Sequence, residues 1–205
     1  MRIHPNTYII GIDEVGRGPL AGPLCLCAYT LQKKDLPLLR KMLIRDSKKM
    51  TPAQRSSSAQ LLQGLVREGT ARSVYASVTA AQIDKQGLSK VIKYLIKKVL
   101  VETLKKIDRA PHEVMVYLDG GLYAPEEFLS QETIIKGDDL VPVISCASII
   151  AKVTRDQFMI RMHKKFPHYH FDVHKGYGTL VHRTAIQKNG ISPLHRKSFL
   201  KKFIA

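Results

Sequence analysis

Two apolar runs, Tyr8–Asp13 (YIIGID) and Leu24–Leu31, stand on either side of a stretch crowded with glycine and proline, Glu14–Pro23 (EVGRGPLAGP). They read as two strands joined by a Gly/Pro-rich turn. This pairing commits the chain to a sheet, and the first strand ends on two adjacent acids, Asp13 and Glu14. Adjacent strand residues point to opposite faces. The two acids can therefore converge on one site only if the strand breaks there, or if one of them contributes through its backbone carbonyl.

Further elements follow along the chain. Thr51 before Pro52 is an N-cap with proline at the first helical position, which predicts a helix toward Val66. Arg72–Val78 reads as a third strand. From Leu88, residues Val91, Ile92, Leu95, Ile96, Val99 and Ile107 keep helical spacing, with most lysines on other faces. Glu113–Asp119 (EVMVYLD) is a short strand that closes on a third acid before Gly120-Gly121, and Asp138 and Asp139 follow in a loop. Val141–Phe166 is largely helical. Its small residues Ser145, Ala147, Ser148 and Ala151 predict close packing near the sheet centre. Thr179 caps a helix that ends before Gly190, and the tail from Arg196 is short and basic. The expectation is an α/β fold, a mixed sheet flanked by helices. Residues 1–165 would form the main domain, with a small helical C-terminal region, 166–205, packed on it.

Composition excludes several classes. With 205 residues, 44% hydrophobic and 24% charged, intrinsic disorder is not the main state. No apolar run approaches the roughly 18–20 residues that span a bilayer, and the N-terminus lacks a signal-peptide pattern. Three cysteines cannot build a disulfide framework, and Cys25 and Cys27 fall on one side of a strand. A reducing cytosol is the expected compartment. Thirty-three Lys and Arg against seventeen Asp and Glu leave a net charge of +16. Such an excess predicts a polyanionic partner, because neutralised phosphates release counterions. No basic amphipathic helix dominates, which argues against a membrane surface.

In so basic a chain, acids gathered at strand ends need a reason. Strand ends are where α/β sheets build sites, and clustered carboxylates repel unless protonated or bridged by a cation. Hard oxygen ligands suit Mg²⁺ or Mn²⁺. Two such ions, about 3.5–4 Å apart, can activate a water and stabilise the leaving oxygen of a phosphodiester. The bland alternative is that these acids serve as caps, turn formers and salt-bridge partners. Asp156 reads in that way, within reach of Lys152 one helical turn before it.

Rival readings are weaker. The glycine loop contains G-x-G after a strand, but Pro19 and Pro23 obstruct the helix that a dinucleotide site requires, and the acids would repel a pyrophosphate. The P-loop pattern is absent. His168, His170 and His174 lack zinc-site spacing and read as solvated or phosphate-facing. Tyr177, between two glycines, could stack on a sugar or base, or pack over a loop. From the residues alone, a metal-dependent enzyme on nucleic acid stands beside a noncatalytic RNA- or DNA-binding protein.

The segments GIDEVGRGPLAGP, DSKKMTPAQR, YLDGG, KGDDLVPVISCASIIAKVTRD, HKGYGT and PLHRKSF occur in the order seen in the bacterial type 2 ribonucleases H, the ribonuclease HII family. The chain resembles that family from Tyr8 to Phe199. Cys146 departs from the commoner ISAAS, a small apolar exchange. The related type 3 enzymes lack the GRG loop and carry an N-terminal extension, and with seven residues before the first strand type 2 is the better match. The resemblance implies a ribonuclease H-like fold and metal-dependent endonucleolytic cleavage of RNA in RNA–DNA hybrids. It implies incision 5′ to single ribonucleotides in duplex DNA, leaving 3′-hydroxyl and 5′-phosphate ends, with a role in ribonucleotide removal. Asp13, Glu14, Asp119 and Asp138 are the implied catalytic acids and ligands of Mg²⁺ or Mn²⁺. Gly16, Arg17 and Gly18 are implied to recognise the ribose 2′-hydroxyl, Tyr177 to stack at the RNA–DNA junction, and Lys48 to contact a phosphate. A cytoplasmic monomer is expected.

Overall fold

The computed structural model describes residues 4–42 and 50–200. Lys48 lies outside the described residues. Five strands form one mixed sheet: β1 (Tyr8–Val15), β2 (Leu24–Gln32), β3 (Ala71–Val78), β4 (Val114–Asp119) and β5 (Gln131–Ile134). Their spatial order is β3-β2-β1-β4-β5. β1, β2 and β3 are antiparallel neighbours, whereas β4 runs parallel to β1 and β5 parallel to β4. The parallel half places the C-terminal ends of β1 and β4 side by side, and with them Asp13 and Asp119.

Helices among the described residues are α1 (Leu36–Lys41), α2 (Pro52–Arg67), α3 (Ala80–Gln86), α4 (Leu88–Ile107), α5 (Gly137–Leu140), α6 (Pro142–Lys165), α7 (Phe171–His174), α8 (Leu180–Asn189) and α9 (Lys197–Leu200). None is long and apolar enough to cross a membrane. The expected strands and long helices are present with shifted ends. Thr51 does cap α2, its hydroxyl accepting from Gln54 N–H while the Gln54 side chain accepts from Thr51 N–H. Two corrections concern local structure. Asp138 and Asp139 lie in the short helix α5, not in a loop. β5 went unrecognised because QETI is polar and only partly covered, so it shows no apolar run.

Alternation along the strands divides the core between the two faces. Ile10, Ile12, Leu24, Leu26, Val116 and Leu118 pack with Val91, Leu95 and Val99 of α4. Ile9, Cys27, Tyr29 and Leu31 pack with Leu62 of α2 and with Val143, Cys146, Ala147 and Ala151 of α6. The cysteines at 25, 27 and 146 are free and buried. The small residues of α6 do lie against the central strand. A Cβ at Gly11 would collide with the backbone of Val143 and Ile144. Only glycine lets the first turn of α6 cross β1 at this distance. That crossing carries Asp138, four residues before Pro142, to the end of β1. A third apolar group ties the C-terminal helices to the β1–β2 loop and to α6: Leu20, Ala21, Met159, Tyr169, Phe171, Ala185, Ile186 and Leu200.

Candidate active site

The three aspartates meet. Asp13, Asp119 and Asp138 each offer a carboxylate oxygen within 4.8 Å of the others, and among the described residues no other such group of three or more His, Cys, Asp or Glu occurs. Each arrives by a different route. Asp13 shares the α6 face of β1 with Ile9 and Gly11, and Asp119 ends β4 on that same face. Asp138 is brought by α5, whose carbonyl at Asp138 accepts the Ser145 hydroxyl at 2.7 Å, while its amide donates to Asp119 Oδ1 at 3.3 Å.

The group is electrostatically costly. Asp13 is 6% exposed. Burial above all, then the neighbouring charges of Glu14 and Asp119, push its carboxyl well above the usual range, against hydrogen bonds from Ser148 and the Glu14 amide. Among the described residues no lysine or arginine ion pair reaches Asp13 or Asp119. Glu14 stands apart from the three. β1 continues unbroken to Val15 and Glu14 falls outside the group of three oxygens, yet its charge acts on Asp13 and that of Asp119 acts on it. Its Oε1 pairs with Arg17 at 3.2 Å, and its Oε2 is buried without a hydrogen-bond partner. Burial also raises the Glu14 carboxyl, against the pull of Arg17. Crowded oxygens and an orphaned buried carboxylate oxygen fit a hard divalent cation, which supplies the missing positive charge.

Beside the acids lies a platform of two loops. Gly16 is buried, while Arg17 and Gly18 are exposed at the tip. The amides of Leu20 and Ala21 donate to the Gly176 carbonyl at 2.9 and 3.2 Å, joining this loop to His174–Gly178. Gly176 has φ +89°, and a Cβ there would strike the Ala21 carbonyl. Tyr177 is 40% exposed, with Lys152 Nζ and Arg155 Cζ each 5.8 Å from its ring centroid. Asp156 is held by Lys152 at 2.9 Å, as its spacing predicts.

Two arginines that sequence reasoning missed hold this platform. Arg196 donates to the carbonyls of Gly16 (2.6 Å), Arg17 (3.0 Å) and Gly22 (2.9 and 3.1 Å). Arg155 donates to Pro23 (3.0 Å), Ala21 (3.2 Å) and Lys175 (3.0 Å), so it grips both loops. Both are fully buried, and burial pushes the Arg196 guanidinium down to about 10. A signal existed for Arg155, which shares an i, i+4 stripe with buried Ala151 and Met159. His174 requires a correction. It is neither solvated nor phosphate-facing but buried, with one nitrogen 2.6 Å from the Tyr169 carbonyl and the other accepting from Gly176 N–H. His168 and His170 are exposed.

Comparison with known proteins decides the family. The sequence profile described as Ribonuclease HII matches residues 10–202. A ribonuclease HII of Caldicellulosiruptor bescii is 38% identical over 198 residues, 97% of this chain and 89% of that protein. The chain belongs to the ribonuclease HII family. It is an endoribonuclease of RNA–DNA hybrids, from a family whose hydrolysis is metal-dependent. The fold agrees. The ribonuclease H2 of Pyrococcus horikoshii OT3 superposes with a TM-score of 0.70 at 24% identity, covering 96% of each chain. Bst-RNase HIII, solved in complex with Mn²⁺, superposes at 0.77 with 17% identity, over 97% of this chain and 70% of that one. The ribonuclease HII chain therefore has the ribonuclease H-like α/β fold.

Proposed function

We propose that this ribonuclease HII cuts the RNA strand of hybrids and incises 5′ to a single ribonucleotide in duplex DNA, leaving 3′-hydroxyl and 5′-phosphate ends. Its cellular task would be ribonucleotide removal during replication and repair. The observation that carries the reading is the adjacency of the three-aspartate group to the joined Gly16–Gly18 and Tyr177 loops.

In this reading Asp13, Asp119 and Asp138 hold Mg²⁺ or Mn²⁺, two ions during catalysis, and Glu14 completes the set through its buried Oε2 or its backbone carbonyl. Bound ions would activate water and neutralise the departing oxygen. The protein's own share is positioning. Ser145 holds the α5 backbone at Asp138, and Ser148 hydrogen-bonds the Asp13 carboxylate. Arg196 draws the Gly16 and Arg17 carbonyls inward, and Gly18, with open space around it, lets the backbone approach a ribose 2′-hydroxyl. Tyr177 stacks at the junction, and Lys48 and the wider basic surface neutralise phosphates.

The test is metal-dependent nicking of a duplex with one ribonucleotide. Asp138→Asn should lower cleavage by orders of magnitude while binding persists. Wild-type rate in that variant at saturating Mg²⁺ removes Asp138 from the site. Binding without nicking by the wild-type protein would favour a noncatalytic role.

A further inference from the structure

Behind the Tyr177 loop lies a group of buried imidazoles that the proposed chemistry does not use. His174, His182 and His195 are 7%, 0% and 3% exposed. The rings of His174 and His182 stack with centroids 4.2 Å apart, and Phe171 meets His182 edge-on. The contacts of His182 and His195 assign their protons from two independent ends.

At one end, His182 Nδ1 lies 2.9 Å from the Tyr177 carbonyl. A carbonyl only accepts, so Nδ1 carries the hydrogen and donates. At the other end, the backbone amide of Ser192 donates to His195 Nδ1 at 2.8 Å. An amide only donates, so Nδ1 of His195 is a lone pair and its hydrogen sits on Nε2. The two deductions meet at the contact between His195 Nε2 and His182 Nε2, 3.1 Å apart. There His195 Nε2–H finds the lone pair of neutral His182. Both rings neutral is the assignment that satisfies these three contacts, with the Ser192 hydroxyl, 2.9 Å from His195 Nδ1, a second donor sharing the same lone pair. Burial, which holds both imidazoles down to about 4, agrees with it.

We propose that His182 is a positioning residue for ribonucleotide recognition, the last donor in a one-way hydrogen-bond relay from Ser192 N–H through His195 and His182 to the Tyr177 carbonyl. The relay fixes the peptide from which the Tyr177 ring projects. The Tyr177 amide is held from the other side, donating to the His174 carbonyl at 2.9 Å. With both of its peptide groups pinned, the half-exposed ring meets a substrate at a set height above the loop joined to Gly16–Gly18. The Tyr177 carbonyl also accepts from Thr179 N–H at 2.9 Å across the tight turn that follows. Without the His182 donor only that local contact remains, and the tie from the loop to α8 and the other imidazoles is lost. This inference rests on the reading that Tyr177 stacks at the junction.

The test pairs two isosteres. Asparagine can place its amide N–H where His182 Nδ1–H stands, whereas glutamine reaches the Nε2 position and leaves the Tyr177 carbonyl with the Thr179 amide alone. On a duplex with one ribonucleotide, His182→Gln should lower kcat/KM by about 10–100-fold, the scale of one lost base–aromatic stack. His182→Asn should recover most of that. On an all-RNA strand paired with DNA both variants should stay nearer wild type, with melting temperatures recorded for each. In the wild-type protein, ¹⁵N chemical shifts should report the Nδ1–H tautomer for His182 and Nε2–H for His195, a measurement that needs no folded variant. The opposite tautomers, equal damage by Asn and Gln, or equal losses on both substrates would overturn the relay. Tyr177→Ala separates the two ideas. If it spares the embedded ribonucleotide, the stacking reading falls and the relay's purpose with it. If it shows the selective loss while His182→Gln is silent, the relay alone falls.

Discussion

The acid group at the end of β1 and the loop platform beside it bury charge in opposite ways. Asp13, Asp119 and Asp138 bring like charges together, and Asp13 is kept nearly dry. Arg155 and Arg196 are drier still, yet each guanidinium is met by backbone carbonyls of the loops it holds. The first arrangement is completed from outside by a cation, whereas the second is complete within the chain. Folding therefore stabilises the platform through its charges and builds the acid group in spite of them.

The sharpest way to break this contrast is to neutralise one charge on each side. Asp13→Asn should lower cleavage by orders of magnitude, and in divalent-free buffer it should raise the melting temperature, because it relieves repulsion. A lower melting temperature there would mean that the acid group is self-satisfied after all. Arg196→Gln should do the reverse. Buried carbonyls of Gly16, Arg17 and Gly22 lose their donor, and stability should fall in denaturant titration by about 1–3 kcal/mol for each one left unsatisfied. Loss on that scale with the metal site intact would confirm the difference, whereas an unchanged midpoint would show the Gly16 loop standing without Arg196.

A smaller effect concerns pH. His182 and His195 protonate near 4 in the folded chain against about 6.5 unfolded. The unfolded state binds more protons between those values, so their contribution is fully present above about pH 6.5 and is lost as pH falls toward 4. Each proton taken up on unfolding is worth about 1.4 kcal/mol per pH unit. Asp13 and Glu14, raised by burial, act in the opposite sense without divalent ions. The surroundings of the histidines also include His174, with His170, Asp172 and Lys175 acting on it in turn. The useful measurement is thus a difference. Stability of His182→Asn should depend less steeply on pH than wild type from 6.5 to 4, and parallel curves would mean that His182 titrates normally.

Much of this was legible in the chain itself. Apolar runs marked β1, β2 and β4, the Thr51-Pro52 pair marked the start of α2, and helical spacing marked α4, because each is a local preference written in neighbouring residues. Asp13 and Asp119 stood out as acids closing apolar strands, and the ordered segments from GIDEVGRGPLAGP to PLHRKSF pointed to the family. What remained hidden depends on residues far apart in sequence. β5 is polar and is a strand through its pairing with β4. His174 looks solvated until His182 of α8 stacks on it and the Tyr169 carbonyl meets its ring nitrogen. Arg155 and Arg196, 41 positions apart, each look like surface charges until the loop carbonyls surround them. Sequence by itself determined the long helices and the apolar strands, the basic charge and the acids available for chemistry. Tertiary structure alone decided which acids meet, because Gly11 admits α6 across β1 and the parallel pairing of β1 with β4 aligns their ends. It also decided which charges are buried, since desolvation depends on neighbours that the local chain does not contain.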